Sequence, residues 1–137
     1  EADMNRFYNL NKKNTFIGSE AIRERLDKGI DIKIVYLEVD VDDADAIGNE
    51  PVYSQNKIIG VVTSGGYGFR VNKSLAFAYV KAELAEKESE FEIEIQGKKR
   101  KAKVLKEMAY DPANARLMSW WFFKNYPMKY FFTKNKL

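Results

Sequence analysis

The amino-acid sequence predicts an all-β domain, a small barrel or a sandwich of five or six short strands preceded by one short helix. Segments in which apolar and polar side chains alternate recur between turn-forming residues along the chain. No helical pattern is long enough to supply the crossover of a parallel β–α–β unit, so antiparallel pairing is expected. At 137 residues, with 45% hydrophobic and 31% charged residues, the chain has the size and composition of one folded domain.

Residues 1–30 are predicted to form a linker that ends in a short helix of about three turns. Ser19 is a favourable N-cap, Ile22 and Leu26 follow at helical spacing, and Gly29 lies where a glycine commonly ends a helix. The first residues lack the pattern of a signal peptide. Because the sequence starts with Glu rather than Met, we expect it to be a piece of a longer polypeptide.

The first strands follow directly after this helix. Residues 32–37 alternate in hydrophobicity and predict a strand that is covered on both faces near its end. The acidic run 40–48 predicts a solvated loop. Two further strands, 51–54 and 57–63, flank the pair Gln55-Asn56, which predicts a tight hairpin.

The middle of the chain combines a glycine-rich segment with an apolar one. Residues 64–68 predict a corner between strands, in which Gly65 or Gly66 adopts a positive φ. Residues 75–80 are apolar at every position, which predicts a strand covered on both faces. Residues 81–89 are expected to form a charged connection.

The clearest hairpin lies in the last third of the chain. Residues 91–96 alternate between apolar and acidic or amide side chains, and Gly97 turns the chain. Residues 100–106 then return with Lys101 and Lys103 on the side of the glutamates, as in a cross-strand ion-pair ladder.

The composition excludes much familiar catalytic chemistry. The chain has no Cys and no His, and therefore no disulfide, no thiolate and no imidazole base or ligand. The acidic run does not fit a calcium loop, since the fifth and sixth positions counted from Asp40 are Ala44 and Asp45. The glycine-rich segment lacks the spacing of a P-loop, and no helix follows it. We therefore predict neither a metal site nor a catalytic residue within this chain.

Charge and aromatic residues are distributed unevenly. The formal net charge is +3, yet residues 116–137 contain five Lys or Arg and no acid, which leaves 18 basic and 20 acidic residues before them. The extension 117–137 also carries eight of the 19 aromatic residues. So many exposed rings are not typical of a soluble monomer, so we predict that they pack on the barrel or on a partner, and that deleting the extension promotes aggregation. The expected subunit contacts are Trp120, Trp121, Phe122 and Phe123, and neither a nucleic acid nor a membrane is the expected partner.

Several segments resemble one known family in order and with natural spacing. They are Asn14–Ile22, Gly48–Tyr53, Ile59–Gly68, Lys73–Val80, Phe91–Gly97 with Ala102–Val104, and Tyr110–Asp111–Pro112. Together they resemble the C-terminal barrel domain of the glycine-cleavage T-protein (aminomethyltransferase) family. The Thr-Ser-Gly-Gly-Tyr-Gly form at 63–68 and the Ala-Glu-Leu-Ala step at 82–85 look most like the branch fused behind a flavin domain, the dimethylglycine and sarcosine dehydrogenases.

The resemblance implies both a fold and a role. It implies a small antiparallel β-barrel of about six strands over residues 31–116, which borders a tetrahydrofolate site shared with an upstream folate-binding domain of the same chain. In the dehydrogenase branch, FAD first oxidises the N-methyl amine. The family's catalytic Asp would lie upstream, so the chain alone is predicted to be inactive. Its expected location is the cytoplasm, or the mitochondrial matrix in a eukaryote.

Two other functions stay open at this point. The first is a free-standing aminomethyltransferase or folate-dependent demethylase, which would have no flavin domain. The second is a non-catalytic assembly subunit that uses the barrel and the aromatic extension for contacts.

The resemblance also nominates two basic residues as folate contacts. Arg116 lies six residues after Tyr110, where some relatives place a cation or a Tyr at the folate pocket. A guanidinium there suits the glutamate carboxylates of the folate as a bidentate donor. Lys12 lies in the segment that enters from the folate domain, where relatives often carry a basic residue. The alternative for both is a solvated surface charge.

Overall fold

The computed structural model describes residues 1–2, 4–13, 15–87 and 90–118. The chain divides into two compact units, Glu1–Lys106 and Glu107–Leu137. The contacts predicted for Trp120, Trp121, Phe122 and Phe123 lie outside the described residues, as does the extension from residue 119 onward.

The first unit is a closed antiparallel barrel of six strands, in the order β1-β4-β3-β2-β5-β6. This confirms the predicted fold class and excludes the sandwich. Its elements are a 3-10 turn at Asn5–Phe7, α1 (Ser19–Lys28), β1 (Ile32–Val39), β2 (Pro51–Ser54), β3 (Lys57–Gly68), β4 (Lys73–Lys81), α2 (Ala82–Lys87), β5 (Glu90–Ile95) and β6 (Lys98–Val104). Pairing of Leu37 with Val104 and of Val39 with Ala102 closes the barrel between β1 and β6.

The core fills the inside of the barrel with mainly aliphatic side chains, one set from each strand. Alternation along the strands places every second residue inside, as for Val35, Leu37 and Val39 in β1. The buried apolar residues are Val35, Leu37, Val39, Ala46, Val52, Ile59, Val62, Ala76, Ala78, Val80, Phe91, Ile93, Ile95 and Ala102.

Both predicted hairpins are present. Gln55 and Asn56 join β2 to β3 with φ of 48° and 66°, and Gln96 and Gly97 join β5 to β6 with φ of 49° and 75°. Two successive positive φ angles are required by the type I′ turn, whose twist matches that of the flanking strands. Across β5 and β6 the register pairs glutamates with lysines, for example Glu92 with Lys101.

The predicted corner at Gly65 or Gly66 is wrong. Strand β3 continues to Gly68, and neither of the two glycines has a positive φ. Gly65 is instead required by a close approach, because a Cβ atom there would lie 2.5 Å from the carbonyl oxygen of Ala46. The chain turns afterwards, over residues 69–72, where Asn72 has a φ of 53°.

Two local predictions about loops and caps also need correction. The N-cap of α1 is Gly18, with a φ of 89°, while Ser19 is the first helical residue and is buried. The acidic segment is not simply solvated, because Ala46 within it is completely buried in the core. The predicted charged connection after β4 contains α2, whose Leu84 packs against the core.

Strand β4 is covered on one face only, contrary to the prediction. Ser74, Ala76, Ala78 and Val80 are buried, whereas the alternate residues 75, 77 and 79 are half-buried on the outside of the barrel. The neighbouring strand β1 behaves in the same way, since Tyr36 is half-buried on its outer face. An apolar outer surface therefore runs across adjacent strands of the barrel.

Candidate functional site

The first predicted folate contact, Arg116, lies in the second unit on α3 (Ala115–Met118). The turn before this helix is organised by Asp111, whose carboxylate accepts hydrogen bonds from the main-chain N–H groups of Ala115 at 2.7 Å and Arg116 at 2.9 Å. Satisfying these N–H groups fixes the start of the helix. The Asp of the Tyr-Asp-Pro motif thus positions the main chain of the helix that carries Arg116.

The side chain of Arg116 lies beside the ring of Tyr110. Its guanidinium carbon is 5.9 Å from the ring centroid, at the outer limit of a cation–π contact. Both residues are exposed, Tyr110 to 44%. This pair offers a planar bidentate donor next to an aromatic face, which suits a carboxylate carried by a flat ligand.

The second predicted contact, Lys12, lies in the segment that precedes α1 and is exposed. Two interactions hold this segment against the helix. Arg23 donates a hydrogen bond to the carbonyl oxygen of Leu10 at 2.7 Å, and Arg25 pairs with Glu1 at 2.6 Å. The hydrogen bond from Arg25 lowers the pKa of Glu1. Lys12 belongs to the first unit and Arg116 to the second. The surroundings of each cation are therefore described separately.

The described residues contain no cluster of acidic side chains that could hold a metal ion. No group of three or more carboxylates converges among them. The hydrogen bond from Arg100 lowers the pKa of Asp43, so this carboxylate is held ionised rather than poised as an acid. The hydrogen bond from Tyr53 to Glu94, at 2.8 Å, raises the pKa of the phenol. These two shifts arise from the ion pair between Arg100 and Asp43 and from the part-buried hydrogen bond between Tyr53 and Glu94.

The segment between β1 and β2 is fixed onto the barrel by side-chain contacts. Arg100 donates to both carboxylate oxygens of Asp43 at 2.6 Å, and Ser74 donates to Asp45 at 2.6 Å. The carboxylate of Glu50 accepts from two consecutive main-chain N–H groups, those of residues 47 and 48, at 2.8 Å. The segment therefore has one defined path, which brings Ala46 into the core.

A cavity of about 600 Å³ opens at the adjacent end of the barrel. It is lined by charges of both signs, including Glu38, Lys73, Lys101 and Lys103. Lys73 and Glu38 form an ion pair at 2.5 Å, so these two charges largely offset each other. This lining does not select an anionic or a cationic ligand.

Comparison with known proteins identifies the family from the barrel itself. Residues 33–111 match the glycine cleavage T-protein C-terminal barrel domain. The chain belongs to this family. The matched residues cover the six described strands except Ile32 at the start of β1, and they end at Asp111, which organises the start of α3.

Relatives in this family are much longer than the chain. Mouse mitochondrial dimethylglycine dehydrogenase is 40% identical over 119 residues, which cover 85% of this chain and 14% of the relative. An aminomethyltransferase of Prochlorococcus marinus is 34% identical over 110 residues, covering 80% of the chain and 29% of the relative. The crystal structure of the glycine cleavage system aminomethyltransferase T from Bartonella henselae superimposes with a TM-score of 0.60 and 28% identity, over 69% of this chain and 26% of that one.

Within the described part of the chain, no helix is long and apolar enough to cross a membrane. The structure places the ring of Tyr110 beside Arg116, a neighbour that the sequence analysis did not predict. The Tyr-Asp-Pro motif contains the available sequence signal, because its Asp accepts hydrogen bonds from the first N–H groups of the helix that carries Arg116.

Proposed function

We propose that the chain is the C-terminal barrel of a tetrahydrofolate-dependent one-carbon-transfer enzyme of the flavin-linked dimethylglycine dehydrogenase type. The observation that carries this proposal is the 40% identity to dimethylglycine dehydrogenase over 85% of the chain. The aminomethyltransferase relatives support the folate-dependent class, and they support the type without a flavin domain as the second candidate. The naming of the mouse relative as mitochondrial supports a location in the mitochondrial matrix if the chain is eukaryotic.

In this proposal the barrel contributes binding rather than proton transfer. Tetrahydrofolate, when bound, accepts the one-carbon unit, and FAD would be held by the upstream region. Arg116 fits the glutamate carboxylate of the folate, because its guanidinium is exposed and lies beside the Tyr110 ring. Lys12 is the second proposed contact, and its ammonium would act toward a folate carboxylate as a point charge. The catalytic base would come from the upstream domain.

The test is a comparison of folate binding by the complete polypeptide and by the 137-residue chain, measured by calorimetry. In the complete polypeptide, Arg116→Ala should weaken tetrahydrofolate binding by about 1.5–3 kcal/mol, the usual value of hydrogen bonds to a charged group. Arg116→Lys should restore only part of this loss, because an ammonium cannot form the bidentate pair. Lys28→Ala, at the exposed end of α1, is the matched control and should leave binding unchanged.

Two outcomes would contradict the proposal. The first is submicromolar folate binding by the 137-residue chain alone, which would place the whole site in the barrel. The second is a complete polypeptide that does not bind folate, which would favour the assembly subunit. Flavin-linked oxidation of dimethylglycine by the complete polypeptide separates the dehydrogenase from the second candidate.

A further inference from the structure

One side of the barrel carries an apolar outer surface that the described residues leave half-exposed. It consists of alternate residues on three adjacent strands, β1, β4 and β3. We call it the β1–β4–β3 face, and its members are Ile34, Tyr36, Val61, Leu75, Phe77 and Tyr79. The register makes the set continuous, since Tyr79 pairs with both Ile34 and Val61.

The centre of this face has a defined shape. The rings of Tyr36 and Phe77 stack with centroids 4.8 Å apart and an interplanar angle of 24°. Beside them a groove of about 250 Å³ runs over Gly65 and Gly66 and is bordered by Leu75. Since Gly66 has no neighbour within 4 Å of a Cβ position, the groove floor is open. Stacked rings around a shallow groove resemble the aromatic-rich core of a protein interface.

The opposite side of the barrel shows what a solvated outer face looks like in the same protein. On β5 and β6 the outward residues pair glutamates with lysines, as in Glu92 with Lys101 and Glu94 with Lys99. None of the six residues of the β1–β4–β3 face is charged. At one end Glu38, which pairs with Leu75, forms an ion pair with Lys73, and at the other end Lys81 pairs with Ile32. An apolar centre with a polar rim is the usual anatomy of a docking surface.

We infer that the β1–β4–β3 face is the surface on which the upstream region of the same polypeptide docks. This inference rests on the proposed function, which gives the chain an upstream domain. The longer relatives support it, because the family is a C-terminal barrel and the chain covers only 14% of mouse dimethylglycine dehydrogenase. Most of such a protein therefore precedes the barrel.

The path of the first residues supports the same occupant. The main-chain carbonyl of Glu1 accepts a hydrogen bond from the N–H of Ile34 at 2.9 Å, so residue 1 lies beside the strand that carries Ile34 and Tyr36. The ion pair of Glu1 with Arg25 holds it there. In the proposed longer polypeptide, an upstream domain joined through this segment would be concentrated near the face by its covalent link, an advantage that a second copy does not have.

The experiment is hydroxyl-radical footprinting with mass-spectrometric readout on the complete polypeptide and on the 137-residue chain. Oxidation of the rings of Tyr36, Phe77 and Tyr79 should fall severalfold in the complete polypeptide. Phe69 is the internal control, because it is 84% exposed in the turn between β3 and β4 and lies outside the face. Its oxidation should be the same in both proteins.

A pair of variants provides a second measurement. In the complete polypeptide, Phe77→Glu should increase severalfold the rate of proteolysis between the upstream region and the barrel, while Phe69→Glu should not. Equal oxidation of the face in both proteins would overturn the inference. Protection already present in the 137-residue chain would also overturn it, since the cover would then be a second copy or the extension 119–137. A folate-binding measurement on the same proteins separates the two proposals. The face can be protected in a protein that binds no folate, and a protein that binds folate can leave the face unprotected.

Discussion

Replacement of Gly65 by Ala should destabilise the barrel, whereas the same replacement at the next residue should not. A Cβ atom on Gly65 would lie 2.5 Å from the carbonyl oxygen and 3.1 Å from the carbonyl carbon of Ala46. Ala46 cannot move away easily, because it is completely buried and because Asp43 and Asp45 anchor the chain before it. Such overpacking typically costs about 1–3 kcal/mol.

Gly66→Ala is the matched control. No atom lies within 4 Å of its Cβ position, and its φ is not positive. The methyl group should therefore be accommodated, and the reduced freedom of the unfolded chain should stabilise the protein by about 0.4–1 kcal/mol.

The assay for this pair is thermal unfolding of both variants, followed by circular dichroism. In a domain of this size each kcal/mol corresponds to roughly 3–5 °C in Tm. Gly65→Ala should therefore melt clearly below the unmodified protein, and Gly66→Ala at or above it. Equal melting temperatures for the two variants would refute the close-approach argument. A lower Tm for Gly66→Ala alone would refute it as well, and would point to a requirement at the groove floor.

Three further predictions concern stability. Asp43→Asn should lower Tm at neutral pH, and the difference should vanish as the pH falls through the lowered pKa of Asp43, because protonation then removes the same pairing with Arg100. Leu37→Ala should lower the free energy of unfolding measured with urea by about 2–5 kcal/mol, since Leu37 is completely buried. Tyr53→Phe should lower Tm at neutral pH, and this difference should shrink in alkali as the pH rises through the raised pKa of Tyr53, where its hydrogen bond to Glu94 is lost.

The hairpins were predictable because their determinants are local. Alternating side chains flank Gln55-Asn56 and Gln96-Gly97, and a two-residue turn fixes the register of the strands that it joins. The barrel as a closed object depended on the family resemblance, since the alternation alone allowed a sandwich. Closure between β1 and β6 joins residues far apart in sequence, such as Leu37 and Val104, and no local pattern specifies such a pair.

The role of Gly65 could not be predicted from the residues around it. A glycine allows either a positive φ or a close approach, and local sequence favoured the first. The contact with Ala46 depends on the path of the acidic segment, which Arg100 and Ser74, from two other strands, help to hold on the barrel. The same contacts explain why an apparently solvated segment contributes a buried residue.

The candidate site was predictable only in part. The resemblance nominated Arg116 and Lys12, and sequence spacing carries no information on what lies next to each side chain. The structure adds the ring of Tyr110 beside Arg116 and the capping role of Asp111. It also shows that the segment just before Lys12 is attached to α1, because Arg23 donates a hydrogen bond to the main-chain carbonyl of Leu10.

The prediction for β4 was wrong in the isolated chain, yet its cause points to the complete protein. A strand with one solvated face does not require six successive apolar residues. Alternation of apolar and polar residues is enough to bury one face, as in β5. The outward apolar residues 75, 77 and 79 of β4 adjoin Tyr36 on β1, whereas the outward residues of β5 and β6 pair glutamates with lysines. An apolar pattern that exceeds what the barrel can bury therefore favours a further neighbour on this face, and the upstream region that we propose is the candidate consistent with the greater length of the relatives.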